Sequence, residues 1–126
     1  MVIHESAENY LETILILSKR LGQVRSIDIA TELNFSKPSV SVAMKNLRQN
    51  GYIQVNDNGF ILLTASGLEI ANSVLERHKL ITSLLVSLGV SPEVATEDAC
   101  RMEHVISEES FNALKRHAAK FAKLTE

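Results

Sequence analysis

The chain of 126 residues has no tryptophan, a single cysteine and two prolines. One thiol, Cys100, cannot close an intramolecular disulfide, so no covalent framework holds the fold. Apolar runs such as Ile14 to Leu17 and Ile61 to Leu63 are far shorter than the roughly 20 residues a membrane-spanning helix needs. The first residues carry charges in an amphipathic pattern instead of a basic segment followed by an apolar core, so they are not expected to act as a secretory leader. A cytoplasmic protein without a membrane partner is expected. The five glycines (22, 51, 59, 67 and 89) stand at predicted element boundaries. No Gly-rich loop is therefore visible to hold a phosphate or an oxyanion, and neither an enzyme nor an organic substrate is expected.

Excess charge is also lacking, with 13 Lys and Arg against 15 Asp and Glu for a net charge of −2. The distribution says more than the sum. Between Asn34 and Asn56 there are three cations, Lys37, Lys45 and Arg48, and no acid. Acids gather in the first dozen residues, from Glu93 to Glu103, and at Glu108 and Glu109. A local basic footprint suits a nucleic-acid surface, while the acid-rich flanks suit a site for a divalent cation.

Tyr10, Ile14, Leu17 and Leu21 recur at spacings of four, three and four, which predicts a helix over 5–21, stopped by Gly22. Glu5, Asn9 and Glu12 lie on another stripe of it. Ser26 is the expected N-cap of a short helix to Leu33, and Asn34-Phe35-Ser36 the following turn. A second helix starts near Ser36 with Pro38 in its first turn and ends at Asn50-Gly51. Tyr52 to Val55 and Phe60 to Leu63 flank an Asn-Gly turn, a hairpin signal. Helix, short helix, turn, helix and hairpin is the order of a winged helix-turn-helix.

Thr64 is placed to cap a long helix to about Leu88, with Ala71, Val74, Leu75, Ile81 and Leu85 on its apolar stripe. Ser91-Pro92 starts another helix, whose apolar face is Ala95, Ala99, Met102 and Ile106. Ser107 caps the last, with Phe111, Leu114, Ala118 and Phe121 as buried candidates. The expected fold is mainly α with a small β wing. A winged helix-turn-helix DNA-binding domain occupies 1–63, and an all-helical dimerisation and metal-binding domain 64–126.

In a helix-turn-helix the start of the second helix reaches base edges. Here those residues are Ser36, Lys37, Pro38, Ser39 and Ser41, with Val42 near a thymine methyl. Lys45, Arg48 and Arg25 suit phosphates. Few of these are bidentate base readers, so affinity is expected from the backbone and selectivity partly from DNA shape. A module this small buries too little surface to bind tightly alone, which predicts a homodimer on a palindromic operator in double-stranded DNA.

Cys100, Glu103 and His104 fall at i, i+3 and i+4 of a predicted helix and so share a face. Thiol, carboxylate and imidazole are ligands for borderline transition metals. A lone histidine such as His78 on an apolar stripe is ordinarily a core residue, and a lone cysteine ordinarily a small buried hydrophobe. Glutamate is rarely placed beside a core without a partner, and that favours a metal cluster.

The run Glu97-Asp98-Ala99-Cys100-Arg101-Met102-Glu103-His104-Val105-Ile106-Ser107 resembles the metal-site helix of the diphtheria toxin repressor family of iron- and manganese-dependent repressors. Ala7 to Glu12 is similar to that family's opening helix, Glu76 to Leu80 to its linking helix, and Ser36 to Ser41 to its recognition helix. The resemblance implies a metal ligand set of Asn9, Glu12, His78, Cys100, Glu103 and His104. Position 9 is typically methionine or aspartate in the family, so an amide there departs from the pattern. Cys100 stands where manganese-type members carry glutamate, whereas Glu12 matches a carboxylate of those members. Thr82 and Thr96 occupy positions of further ligands in iron-type members, which speaks against a second site of that type. The short form without an SH3-like third domain is also implied.

By this resemblance the chain is a DNA-binding repressor of metal-uptake genes with a divalent ion as co-repressor. The thiolate favours Fe(II), narrowly, over Mn(II), which prefers oxygen-rich sites; Zn(II), Co(II) and Ni(II) are the expected surrogates. The alternative is a metal-independent winged-helix regulator that senses a small organic ligand, with Cys100 and His104 as core residues.

Overall fold

The computed structural model describes Glu5 to Thr125, and side-chain surroundings as far as Lys120. The elements run α1 (Glu5–Leu21), α2 (Ser26–Leu33), α3 (Lys37–Gln49), β1 (Ile53–Val55), β2 (Ile61–Leu63), α4 (Ala65–Ser87), α5 (Pro92–Met102) and α6 (Glu108–Thr125). They form two compact units, divided inside α4 between Ser73 and Val74. The order is that of a winged helix-turn-helix followed by helices, as the periodicities predict.

The core of the first unit comes from one stripe of each helix. Leu11, Ile14 and Leu17 of α1 are fully or almost fully buried, with Ile29 of α2, Val40 and Met44 of α3, and Ile53 and Ile61 of the wing. Leu21, expected on the apolar stripe of the first helix, is 52% exposed, and apolar Ile27 is 45% exposed. Leu21 is the last residue of α1, and Ile27 lies in the first turn of α2 beside Lys37 and Ser41. Tyr10 and Phe35 close one end of the unit edge to face, with ring centroids 6.0 Å apart.

The N-cap of α2 is Arg25, one residue before the expected Ser26. Asp28 decides this by accepting the Arg25 backbone N–H at 2.8 Å, the reciprocal half of a capping box. The helix closes on Asn34 at φ +56°, a left-handed position that asparagine tolerates better than most residues. Ser36 caps α3 as expected, accepting the Ser39 N–H at 3.3 Å.

β1 and β2 pair antiparallel, with Ile53 opposite Leu63 and Val55 opposite Ile61. The turn between them is organised by Asn56, whose side-chain oxygen accepts the N–H groups of Asn58 and Phe60, each at 3.0 Å. Gly59 takes φ +80°, the conformation the Asn-Gly signal anticipated. The wing is tied to the α1–α2 connection by the Ile61 N–H on the Val24 carbonyl at 2.7 Å.

In the second unit Val74 and Ile81 of α4, Ala95 and Ala99 of α5, and Phe111 of α6 are buried. Ser91 caps α5 and Ser107 caps α6 through their hydroxyls. The Phe121 side chain, an expected core member, lies outside the described residues. One expectation is corrected here. The helical pattern continues through Ile106, but α5 stops at Met102 and Glu103 is its C-cap. Met102 itself is 37% exposed. Among the described residues no helix is long and apolar enough to cross a membrane.

Gly67 shows how closely the wing and the start of α4 pack. A Cβ built there would lie 2.0 Å from the Tyr52 carbonyl oxygen, held in turn by the Thr64 N–H at 3.0 Å. Alanine in an exposed helix would add up to about 1 kcal/mol of stability over glycine. Here the sign reverses, because backbone must move: Gly67→Ala should destabilise by about 3 kcal/mol, read as a lower urea midpoint.

Candidate metal centre and nucleic-acid interface

Glu103 is a carboxylate with no exposed surface. Ionised carboxylates are almost never fully buried without partners, because desolvation is costly. The partners in the second unit are two imidazoles. His78, from the middle of α4, brings Nδ1 to 2.8 Å of Glu103 Oε2, and His104 Nε2 lies 3.3 Å from Oε1. The His104 side chain is itself only 2% exposed. Glu103, the C-cap of α5, keeps helical dihedrals (φ −60°, ψ −24°), so Glu103 and His104 leave the end of α5 as the i+3 and i+4 neighbours of Cys100.

The main chain of that turn is held by the residue before His78. Arg77 Nη1 donates to the Ile106 carbonyl at 3.0 Å and lies 3.4 Å from the Glu103 carbonyl. Its guanidinium carbon stands 5.4 Å from the centre of the Phe111 ring, a cation–π distance. The residue before Arg77, Glu76, pairs with Lys115 of α6 at 2.5 Å, both half exposed. Sequence reasoning missed Arg77. Its one signal was a cation inside an apolar helical stripe.

Of the expected metal ligands, the structure brings His78, Glu103 and His104 together. Cys100 lies three residues before Glu103 on α5, and is exposed. Asn9 and Glu12 belong to the first unit, where Asn9 is partly and Glu12 almost fully buried in α1. Among the described residues no group of three or more His, Cys, Asp or Glu stands ready-formed at metal-holding spacing. The donor chemistry nevertheless fits a divalent transition ion: a buried carboxylate with imidazole nitrogens beside both of its oxygens.

The expected DNA-reading residues are all in the first unit, and Ser36, Lys37, Pro38, Ser39, Ser41, Lys45 and Arg48 are all exposed. Ser36 and Ser39 are engaged with each other, hydroxyl to hydroxyl at 2.8 Å. One recess of about 160 Å³ is lined by Ser41, Lys45, Arg48 and Val55, so the second helix and the wing share a surface. A second, of about 210 Å³, is lined by Ser26, Ile27, Lys37 and Ser41. Arg25 is exposed with its guanidinium carbon 4.5 Å from the Phe60 ring centre. It therefore braces the wing while keeping its charge at the surface.

A winged helix-turn-helix with basic residues on its second helix, followed by helices that bury a His-Glu-His cluster, defines a DNA-binding regulator with a candidate metal centre. Comparison with known proteins makes this specific. Residues 3–59 match the family described as iron dependent repressor, N-terminal DNA binding domain, and residues 64–123 match iron dependent repressor, metal binding and dimerisation domain. The chain belongs to this family of iron-dependent repressors, as the resemblance of its Glu97–Ser107 run implied. The transcriptional regulator MntR of Escherichia coli O157:H7 is 38% identical over 120 residues, 92% of this chain and 77% of that one. An HTH-type transcriptional regulator of Methanocaldococcus jannaschii is 34% identical across 93% of this chain and 95% of its own length. Among solved structures, the manganese regulator SloR superposes with a TM-score of 0.80 at 28% identity, covering 94% of this chain. This chain spans about half of that regulator, 55% of its length.

The two ion-pair environments separate by burial. His78→Ala removes the 2.8 Å partner of a fully buried carboxylate, and should cost about 2 kcal/mol of metal-free stability. Lys115→Ala breaks a half-exposed pair and should cost less than about 1 kcal/mol. Parallel denaturation curves would show the difference.

Proposed function

We propose that this chain is a metal-dependent transcriptional repressor that binds a palindromic operator in double-stranded DNA as a homodimer and controls metal-uptake genes. Residues 1–63 act as the DNA-binding domain and 64–126 as the dimerisation and metal-binding domain. The observation that carries the reading is Glu103, fully buried with His78 and His104 beside its two oxygens, in a chain of the iron-dependent repressor family. A divalent ion supplies there the positive charge that a buried carboxylate and a thiolate lack. His78, Cys100, Glu103 and His104 are the ligands from the second unit, and Asn9 and Glu12 those from α1. Fe(II) is favoured narrowly over Mn(II) by the thiol of Cys100. Relatives of both kinds occur, the manganese regulator SloR and an iron-dependent repressor, IdeR, of Mycobacterium leprae.

Lys37, Lys45, Arg48 and Arg25 contact phosphates, and Ser36, Pro38, Ser39 and Ser41 approach base edges. A surface with so few bidentate readers draws its affinity from the DNA backbone and part of its selectivity from DNA shape. Self-association is supported by apolar residues left outside the second unit's core, Leu88 at 79% and Val105 at 77% exposed. A groove of about 240 Å³ lined by Leu84, Leu85, Leu88, Met102 and Leu114 lies in the same unit. The protein works in the cytoplasm and is not an enzyme. An ion that binds only the DNA-competent state, at 100 times its dissociation constant, favours that state by about 2.7 kcal/mol.

The test is a DNA-binding titration of the metal-free protein on a palindromic promoter fragment. Fe(II) under anaerobic conditions, Mn(II) and Zn(II) are added separately, beside a Cys100→Ala, His104→Ala double variant. Metal should tighten DNA binding by about 100-fold in the parent chain and have no effect in the variant. Equal affinity with and without metal would replace the proposal with a metal-independent regulator.

A further inference from the structure

Glu103 is gripped at both ends by adjacent residues of one helix. His78 holds its carboxylate at 2.8 Å, while the Arg77 guanidinium faces its carbonyl at 3.4 Å and bonds the Ile106 carbonyl at 3.0 Å. Had α5 continued, the Glu103 carbonyl would accept the N–H of residue 107 and the Ile106 carbonyl that of residue 110. Instead the Ser110 N–H is held by the Ser107 hydroxyl at 3.1 Å. Arg77 thus supplies the hydrogens that these two carbonyls would otherwise take from a longer helix.

We infer that Arg77 is a positioning residue of the metal centre: by binding the carbonyls of Glu103 and Ile106 it fixes the main chain of the α5–α6 turn that carries Glu103 and His104. The inference rests on the metal-binding reading above and adds to it a residue outside the ligand set. Without the guanidinium, the Glu103 and Ile106 carbonyls lose that donor, and the turn that carries Glu103 and His104 is free to shift away from His78. Arginine suits the task better than lysine. Its planar fork presents several donors at fixed angles, and its flat face stacks on an aromatic ring, here Phe111. The buried Nε, which has no hydrogen-bond partner, shows that the side chain sits where the Nη1 contacts and the ring place it.

The experiment compares the full chain with Arg77→Lys, Arg77→Met, Phe111→Leu and His104→Ala. Mn(II) affinity is measured by calorimetry, the ligand-field spectrum is recorded with Co(II), and the metal-free melting temperature is taken for each. Mn(II) affinity should fall about tenfold in Arg77→Lys and by up to about 100-fold in Arg77→Met, the range for losing a group that orients metal ligands. The Co(II) spectrum should change in both. If Arg77→Met does not fold, Arg77→Lys and Phe111→Leu carry the test, with Phe111→Leu expected to weaken Mn(II) binding in the same direction. A lower melting temperature with unchanged Mn(II) affinity and an unchanged Co(II) spectrum would reduce Arg77 to a structural prop and overturn the inference. A parent chain that binds neither ion would overturn it together with the metal-binding reading. A parent that binds, a His104→Ala variant that does not, and an Arg77→Lys variant that binds like the parent would overturn this inference alone.

Discussion

A carboxylate with no access to water constrains everything around it in the second unit. Desolvating Glu103 costs several kcal/mol unless hydrogen-bond donors or a cation stand beside it, and the donors come from two directions, α4 and the chain just past α5. His104 follows directly on Glu103, the C-cap of α5. The carbonyls of Glu103 and Ile106, in the turn beyond that helix, take a donor from Arg77. For Arg77 to lie flat it needs Phe111 beneath it, which fixes the first turns of α6. The same arrangement that accommodates the charge in the absence of an ion gathers the imidazoles and carboxylate an ion would use.

The first unit follows a different logic, in which short side chains at helix starts define the DNA-facing surface. The Ser36 hydroxyl accepts the Ser39 N–H of α3 and donates to the Ser39 hydroxyl, so the exposed start of that helix is ordered before any base edge approaches. Arg25 braces the wing through Phe60, and Asn56 closes the wing turn with its side chain. The surface is built from local hydrogen bonds, and Lys37, Lys45 and Arg48 lie exposed on it.

That contrast explains how much could be read from the chain alone. Helix starts at Ser36, Thr64, Ser91 and Ser107 are legible because the capping group lies within three residues of the N–H it satisfies. The wing is legible because Asn-Gly permits the turn and the β-rich runs flank it. The ligand run Cys100 to His104 is legible as a motif, and His78 through the family resemblance. The end of α5 is not legible. No glycine or proline marks it, and Arg77, which holds the turn beyond it, lies 26 and 29 residues from the two carbonyls it contacts. The exposed positions of Leu21 and Ile27 escaped for a related reason: periodicity ranks residues by hydropathy, and apolar residues also occur on surfaces. Arg25 as the α2 cap depends on a carboxylate reaching back from Asp28, which competes with a serine equally plausible on composition.

Three consecutive residues of α4 each hold a different part of the chain beyond that helix: Glu76 holds Lys115, Arg77 the turn carbonyls, and His78 the Glu103 carboxylate. Neighbouring positions on a helix are about 100° apart, so the three grips span roughly 200° of its circumference. Mechanically this is a keyed shaft. Helices packed along one stripe can roll against each other by exchanging ridges for grooves, but α5 and α6 cannot roll around α4 without releasing at least one grip. Under axial sliding or lifting, the half-exposed Glu76–Lys115 pair can follow on its long side chains, whereas the His78 and Arg77 contacts around buried Glu103 have little slack. The joint is therefore stiff on its buried side and yielding on its solvent side.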